Sequence, residues 1–188
     1  MGDERVIGDV QAHMAQGSGP RPRLVAVNQP WSEVMGEALA LAREAAHADE
    51  VPVGAVVLDT DGGVIGRGRN MRESTGDPTS HAEVIALREA AVAHGSWNLD
   101  GCTLVVTLEP CLMCAGAILQ SHISRVVFGA WDDKAGAAGS MYDVIRDRRL
   151  PVRAEVIGGV DADAAAAVLR EFFAAQRADE QVSRSSEG

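Results

Sequence analysis

Residues 103–120 read TLVVTLEPCLMCAGAILQ, and this stretch decides the fold. It opens as an apolar, β-branched run, Thr103 to Thr107, the composition of a strand buried on both faces. Pro110 follows, and proline is favoured at the first position of a helix, where its missing N–H has no partner to lose. Residues 110–120 then read as an apolar helix. A buried strand running straight into a buried helix predicts one β-α unit of a layered α/β domain.

The same alternation extends in both directions. Upstream, Trp31, Met35, Ala38, Leu39, Ala42 and Ala46 recur at helical spacing and predict a helix over 31–47. Residues 52–58 (PVGAVVL) and 64–69 flank the turn signal DTDGG and predict a hairpin. Residues 80–94 read as a helix. Downstream, strands are expected at 125–129 and 152–157, and a closing helix over 161–176. The order α-β-β-α-β-α-β-β-α predicts a three-layer α/β/α sandwich around a mixed sheet. The first two strands should run antiparallel and the helix-linked strands parallel. A long Gly/Ala-rich segment leaves the direction of the last pair open. Residues 1–29, with the run GSGPRPR, read as a flexible extension, residues 30–177 as the folded domain, and 178–188 as a polar tail.

Composition narrows the function classes. A chain of 188 residues that is 46% hydrophobic and 23% charged suits one globular domain, not a disordered or fibrous chain. No apolar run approaches the roughly 18 residues of a membrane span, and the charged opening MGDERVIGDV lacks a secretory core. Three cysteines, an odd count, point away from a disulfide framework and toward metal-binding or reactive thiols in the cytoplasm. The net charge of −10 opposes non-specific nucleic-acid binding. Two arginine clusters, Arg67/Arg69/Arg72 and Arg146/Arg148/Arg149/Arg153, could each supply a local positive surface or simply a solvated face.

Two segments carry chemistry: His81-Ala82-Glu83 and Pro110-Cys111-Leu112-Met113-Cys114. Cysteines three apart on a helix share a face, so both sulfurs can meet one metal ion. A helix start also favours the thiolate that zinc needs. With His81 they make three protein ligands, the count of a catalytic zinc site that keeps one position for water. Cys102 stands before a strand, away from this set. Glu83, two residues from His81, can reach that water without being a ligand, and a carboxylate there can carry protons to a ring nitrogen and a leaving amine. Blander readings compete. Ser80-x-x-Glu83 is also a capping box. Cys-x-x-Cys alone also fits a redox pair or half a structural zinc site. The conjunction H-x-E…P-C-x-x-C is the signature of zinc nucleobase deaminases.

On these motifs, and on VPVGAVV (51–57), DPTSHAEVIALR (77–88), VTLEPCLMCAGAI (106–118), SRVVFGA (124–130) and KAGAAGS (134–140), the chain resembles the bacterial tRNA-specific adenosine deaminases of the cytidine deaminase superfamily. The resemblance covers about residues 30–177 and implies a five-stranded mixed sheet with flanking helices. It implies Zn2+ on His81, Cys111 and Cys114, with Glu83 as proton shuttle. It implies that Asn70 contacts a flipped nucleoside, Val53 and Leu108 line the base pocket, Asp132 meets a neighbouring nucleotide and Phe173 packs flanking bases. The implied reaction is adenosine to inosine at the wobble position of a tRNA anticodon stem-loop, by a homodimer. Trp131 departs from the pattern, standing where a basic residue is expected. The competing enzyme reading is a deaminase of free guanine, cytosine or cytidine, which the acidic charge favours. A non-catalytic zinc module and a thioredoxin-like thiol pair are the remaining alternatives.

Overall fold

The computed structural model describes residues 31–186. The expected N-terminal extension lies outside them. Helix α1 (Trp31–His47) leads into strands β1 (Gly54–Leu58) and β2 (Val64–Arg69), a single helical turn α2 (Arg72–Thr75) and helix α3 (Ala82–His94). Strand β3 (Thr103–Leu108), helix α4 (Leu112–Gln120), strand β4 (Arg125–Ala130), strand β5 (Glu155–Gly158) and helix α5 (Ala162–Ser186) follow. The sheet order is β2-β1-β3-β4-β5. β1 is antiparallel to both β2 and β3, while β3, β4 and β5 are parallel neighbours. The expected three-layer mixed sheet is therefore present, and the open direction of the last pair resolves as parallel.

Alternation along the central strands feeds two cores. Ala55, Val57, Leu104, Val106, Val126 and Phe128 pack against α3 and α4 through Ala82, Ala86 and Ile118. Val56, Leu58, Val105 and Val127 face the other way, onto Met35, Ala38 and Ala42 of α1 and Ala165 and Val168 of α5. A sheet covered on both faces explains why β1 and β3 read as continuous apolar runs. Gly66 and Gly68 let α3 lie directly on β2: a Cβ at either would collide with the α3 backbone at Ala86 or Ala82. That close approach sets the start of α3, and with it His81 and Glu83, down on the sheet.

Three expectations are corrected, and one competing reading falls. The helix at 110–120 starts at Leu112 with Cys111 as its N-cap, so Pro110 lies before the cap. The capping box does not form. His81 is the N-cap of α3 without a side-chain cap bond, and the Ser80 hydroxyl donates to Asp77 instead. The last strand is Glu155–Gly158 rather than 152–157, because Ala154 is held by its N–H to the Ile145 carbonyl before the ladder begins. Finally, α5 runs to Ser186, ten residues past the expected end at 176: the polar sequence there holds helical backbone bonds without an apolar stripe.

Candidate metal centre and pocket

The mixed topology gathers scattered residues at one end of the sheet. β1 is antiparallel to its neighbours, so its start lies beside the ends of β2 and β3; Gly54 pairs with Arg69 and Leu108 with Ala130. Val53 before β1, Asn70 after β2, Leu108 and Glu109 at the end of β3, and Asp132 after β4 thus converge. The carboxyl ends of parallel strands are where α/β sheets place ligands. Here these residues line one cavity of about 180 Å³ together with Arg72, Glu73, His81, Glu83 and Cys111.

His81 Nδ1 lies 3.5 Å from Cys114 Sγ and 3.8 Å from Cys111 Sγ. All three donor atoms fall within 4.8 Å of one another, the only such His/Cys/Asp/Glu trio among the described residues. An imidazole and two sulfurs are the donor set zinc prefers, and the residues fit the ion. Hydrogen bonding from the Cys114 thiol, helped by His81, holds the Cys111 thiol down to about 4. The shared hydrogen bond and burial push Cys114 up. His81 is raised by its bond to Cys111. Cys102 is buried elsewhere, and burial lifts its thiol to about 11, which leaves it inert.

Glu83 is 4% exposed, and burial pushes its carboxyl above the ordinary range. A buried carboxyl raised in this way is suited to hold and pass on a proton. Asn70 is also buried and gives its Nδ2–H to Glu50 Oε2 at 3.2 Å. The Asp132 carboxylate accepts the N–H groups of Lys134 and Ala135 at 3.0 and 3.2 Å, bracing its own turn. Of the expected site residues, Val53, Asn70, His81, Glu83, Leu108, Cys111 and Asp132 meet at the cavity, with Cys114 buried behind Cys111. Phe173 does not. It lies on α5 in a separate cleft with Lys134, Arg170 and Arg177, its ring edge-on to Phe172 at 5.4 Å. Trp131 packs edge-on to Phe128 at 4.7 Å and remains half exposed.

The first arginine cluster is less positive than its sequence suggests. Arg67 pairs with Glu37 at 2.6 Å, Arg69 with Glu44 at 3.8 Å and Arg72 with Glu73 at 3.4 Å. In the second, Arg146 pairs with Asp143 and Arg149 with Asp147.

Sequence reasoning missed two acids. Glu50 is fully buried and accepts the N–H groups of Glu73 (3.2 Å) and Ser74 (2.7 Å) as well as the Asn70 amide. Glu109, 2% exposed, accepts those of Asp132 (3.1 Å), Ala138 (3.0 Å) and Ser140 (3.0 Å). Burial pushes both carboxyls up, and these donors outweigh it, so both end below their ordinary value and stay ionised. Gly136 is required beside Glu109, because a Cβ there would overlap the carboxylate. The signal available was an acid abutting an apolar run in ADEVPVGAVV and VVTLEPC, where a merely solvated charge is out of place.

The family model for the cytidine and deoxycytidylate deaminase zinc-binding region matches residues 29–130. The tRNA(Ile)-lysidine synthase of Deinococcus radiodurans is 53% identical over 155 residues, 82% of this chain but 26% of that protein. This chain therefore spans about a quarter of that relative's length. The tRNA-specific adenosine deaminase of Bacillus subtilis is 40% identical over 152 residues, 81% of this chain and 94% of that protein. A solved structure from studies of A-to-I editing by tRNA:A34 deaminases superposes with a TM-score of 0.70 at 40% identity, covering 73% of this chain and 99% of the other. A guanine deaminase from Nitrosomonas europaea superposes with a TM-score of 0.66 at 31% identity, covering 83% and 94%.

Proposed function

The chain belongs to the cytidine and deoxycytidylate deaminase family, alongside the tRNA-specific adenosine deaminases, and we propose that it converts adenosine to inosine at the wobble position of a tRNA anticodon loop. The observation that carries this reading is the single cavity shared by His81, Cys111, Glu83, Asn70 and Asp132. His81, Cys111 and Cys114 would hold the zinc ion. When bound, zinc supplies Lewis-acid activation of the attacking water.

The remaining chemistry belongs to side chains. Glu83 takes a proton from the water and gives it to N1 of the adenine ring, then takes the proton of the new C6 hydroxyl and delivers it to the departing amine. Adenosine and water become inosine and ammonia, and the carboxylate ends as it began. Asn70 contacts the flipped nucleoside, and Val53 and Leu108 sandwich its base. Asp132 meets a neighbouring nucleotide, and Phe173 packs flanking bases along α5. An anticodon-loop base is already unpaired, so extruding it costs little.

In this reading residues 30–177 form the catalytic unit, acting in the cytoplasm as a homodimer. An apolar cleft between α3 and α4 lined by Leu87, Ala91, Trp97 and Ala117 supports a second copy as partner. Among the described residues no helix is long and apolar enough to cross a membrane.

The second reading, deamination of a free base such as guanine, is favoured by the net charge of −10, by the acidic partners of Arg67, Arg69 and Arg72 and by the guanine deaminase match. The experiment is inosine formation in a tRNA transcript with adenosine at the first anticodon position, run beside free adenosine, cytidine and guanine. Conversion of the tRNA alone is expected. Conversion of a free base with the tRNA untouched overturns the RNA assignment and keeps the metal chemistry.

A further inference from the structure

Glu50 is a buried acid that the reaction itself does not use. It sits three residues past the end of α1, where Asp49 adopts a left-handed backbone (φ 58°) and turns the chain inward. Its two oxygens face only donors: the Asn70 amide and the N–H groups of Glu73 and Ser74. Asn70 and Glu73 line the cavity, whereas Glu50 stands behind them.

An asparagine amide can be turned end for end with little change in shape, so its neighbours decide which end faces a ligand. Glu50 can only accept while ionised, and its surroundings hold its carboxyl below the ordinary range. The NH2 end of Asn70 must therefore face Glu50. Among the described residues the Asn70 Oδ1 has no protein donor, yet no buried side-chain nitrogen or oxygen among them lacks a partner. That oxygen is consequently open to the cavity.

Resting on the functional reading above, we propose that Glu50 is a positioning residue that locks the Asn70 amide with its carbonyl oxygen toward the substrate, and ties the Glu73–Ser74 turn into the same wall. The cavity then meets its ligand with a fixed acceptor at position 70. A ligand N–H or O–H is welcomed there and a lone pair is repelled. Selection follows from the unreacting side of the nucleoside and is independent of the metal.

The test is a double-mutant cycle in the full-length zinc-loaded protein, with Glu50→Gln, Asn70→Ala and the combination. Glutamine keeps the shape but can donate to Asn70, so the amide loses its unique orientation. Glu50→Gln is expected to lower kcat/KM by on the order of 100-fold, the scale of a misplaced binding group, with zinc content unchanged. In the Asn70→Ala background the same change should cost nothing further. Glu50→Asp keeps an acceptor-only carboxylate and should retain more activity than Glu50→Gln, which also covers the case in which glutamine impairs folding. Equal losses from Glu50→Gln with and without Asn70, unchanged activity, or an aspartate variant worse than the glutamine variant each overturn the proposal. Failure of the tRNA assignment shows in the wild-type protein alone, and the cycle is read on whichever substrate that protein converts.

Discussion

The floor of the cavity is built from side chains at two helix starts, His81 on α3 and Cys111 and Cys114 on α4, whereas its two rims hang from buried carboxylates. Glu50 suspends the Asn70–Ser74 rim across 20 to 24 residues of sequence. Glu109 suspends the Asp132–Ser140 rim across 23 to 31. The floor gathers soft donors for a metal, while each rim gathers backbone N–H groups onto an anion. In the proposed function the difference separates reaction from recognition: the floor would set what chemistry occurs, and the rims what is admitted to it.

The largest effects should come from the floor, and two variants divide its labour. Glu83→Gln should leave zinc bound, measured by atomic emission, while single-turnover deamination falls about 10²- to 10⁴-fold, the usual worth of a general acid–base group. Cys114→Ser should lose the zinc itself and lower the melting temperature, because metal binding is coupled to folding. A Glu83→Gln protein with undiminished turnover would remove the proton shuttle from the mechanism. A wild-type protein without zinc, carrying a reducible Cys111–Cys114 bond, would favour the thiol-pair alternative.

Next comes the Asp132 rim. Glu109→Gln replaces an oxygen that accepts an N–H with a group that opposes it, leaving one buried donor unpaired. The cost should be about 1–3 kcal/mol in a urea melt, with zinc content intact. If rim and floor are separable, the loss appears in stability and KM before kcat. A matching fall in zinc occupancy would show that Glu109 supports the metal loop, and that rim and floor are one unit.

The Asn70 rim gives a pH test. Glu50 is held below its ordinary value of 4.5 in the folded protein, burial being outweighed by the Ser74 and Glu73 donors. A lowered folded value means stabilisation that is present above about pH 4.5 and lost as pH falls through the folded value. The stability gap between wild type and Glu50→Gln should therefore be full at pH 7 and shrink below pH 4.5 in paired thermal melts. A gap that widens in acid would reverse the sign and contradict an ionised Glu50.

The same contrast explains what was legible in the chain. Layer order, strand pairing of the hairpin and the metal trio could be read because they rest on local spacing: i and i+3 on a helix, apolar runs, a turn between strands. Glu50 and Glu109 could not, because an acid reveals its burial only through donors supplied by distant loops. The Ser80–Glu83 capping box was a false local signal. Its residues match, but Asp77 claims the Ser80 hydroxyl and the packing of α3 on Gly66 and Gly68 claims Glu83 for the cavity. Charge clusters stayed ambiguous for a similar reason, since partners for Arg67 and Arg69 lie on α1, about 25 to 30 residues upstream.

The smallest expected effect tests that last point. Arg67 and Glu37 are 47% and 36% exposed, and an exposed pair of this kind contributes about 0–1 kcal/mol to stability. Arg67→Ala should therefore melt within 1 kcal/mol of wild type. Its bearing on RNA is more informative. A cation that meets a phosphate releases a counterion, so removing it lowers the salt dependence of binding by about one unit of slope. Glu37 lies 2.6 Å from the Arg67 guanidinium and competes with any phosphate for it. The log–log slope of tRNA affinity against salt should thus be unchanged in Arg67→Ala. A slope reduced by about one would mean that RNA displaces Glu37 from Arg67, and that the β2 edge belongs to the recognition rim rather than to the solvated surface.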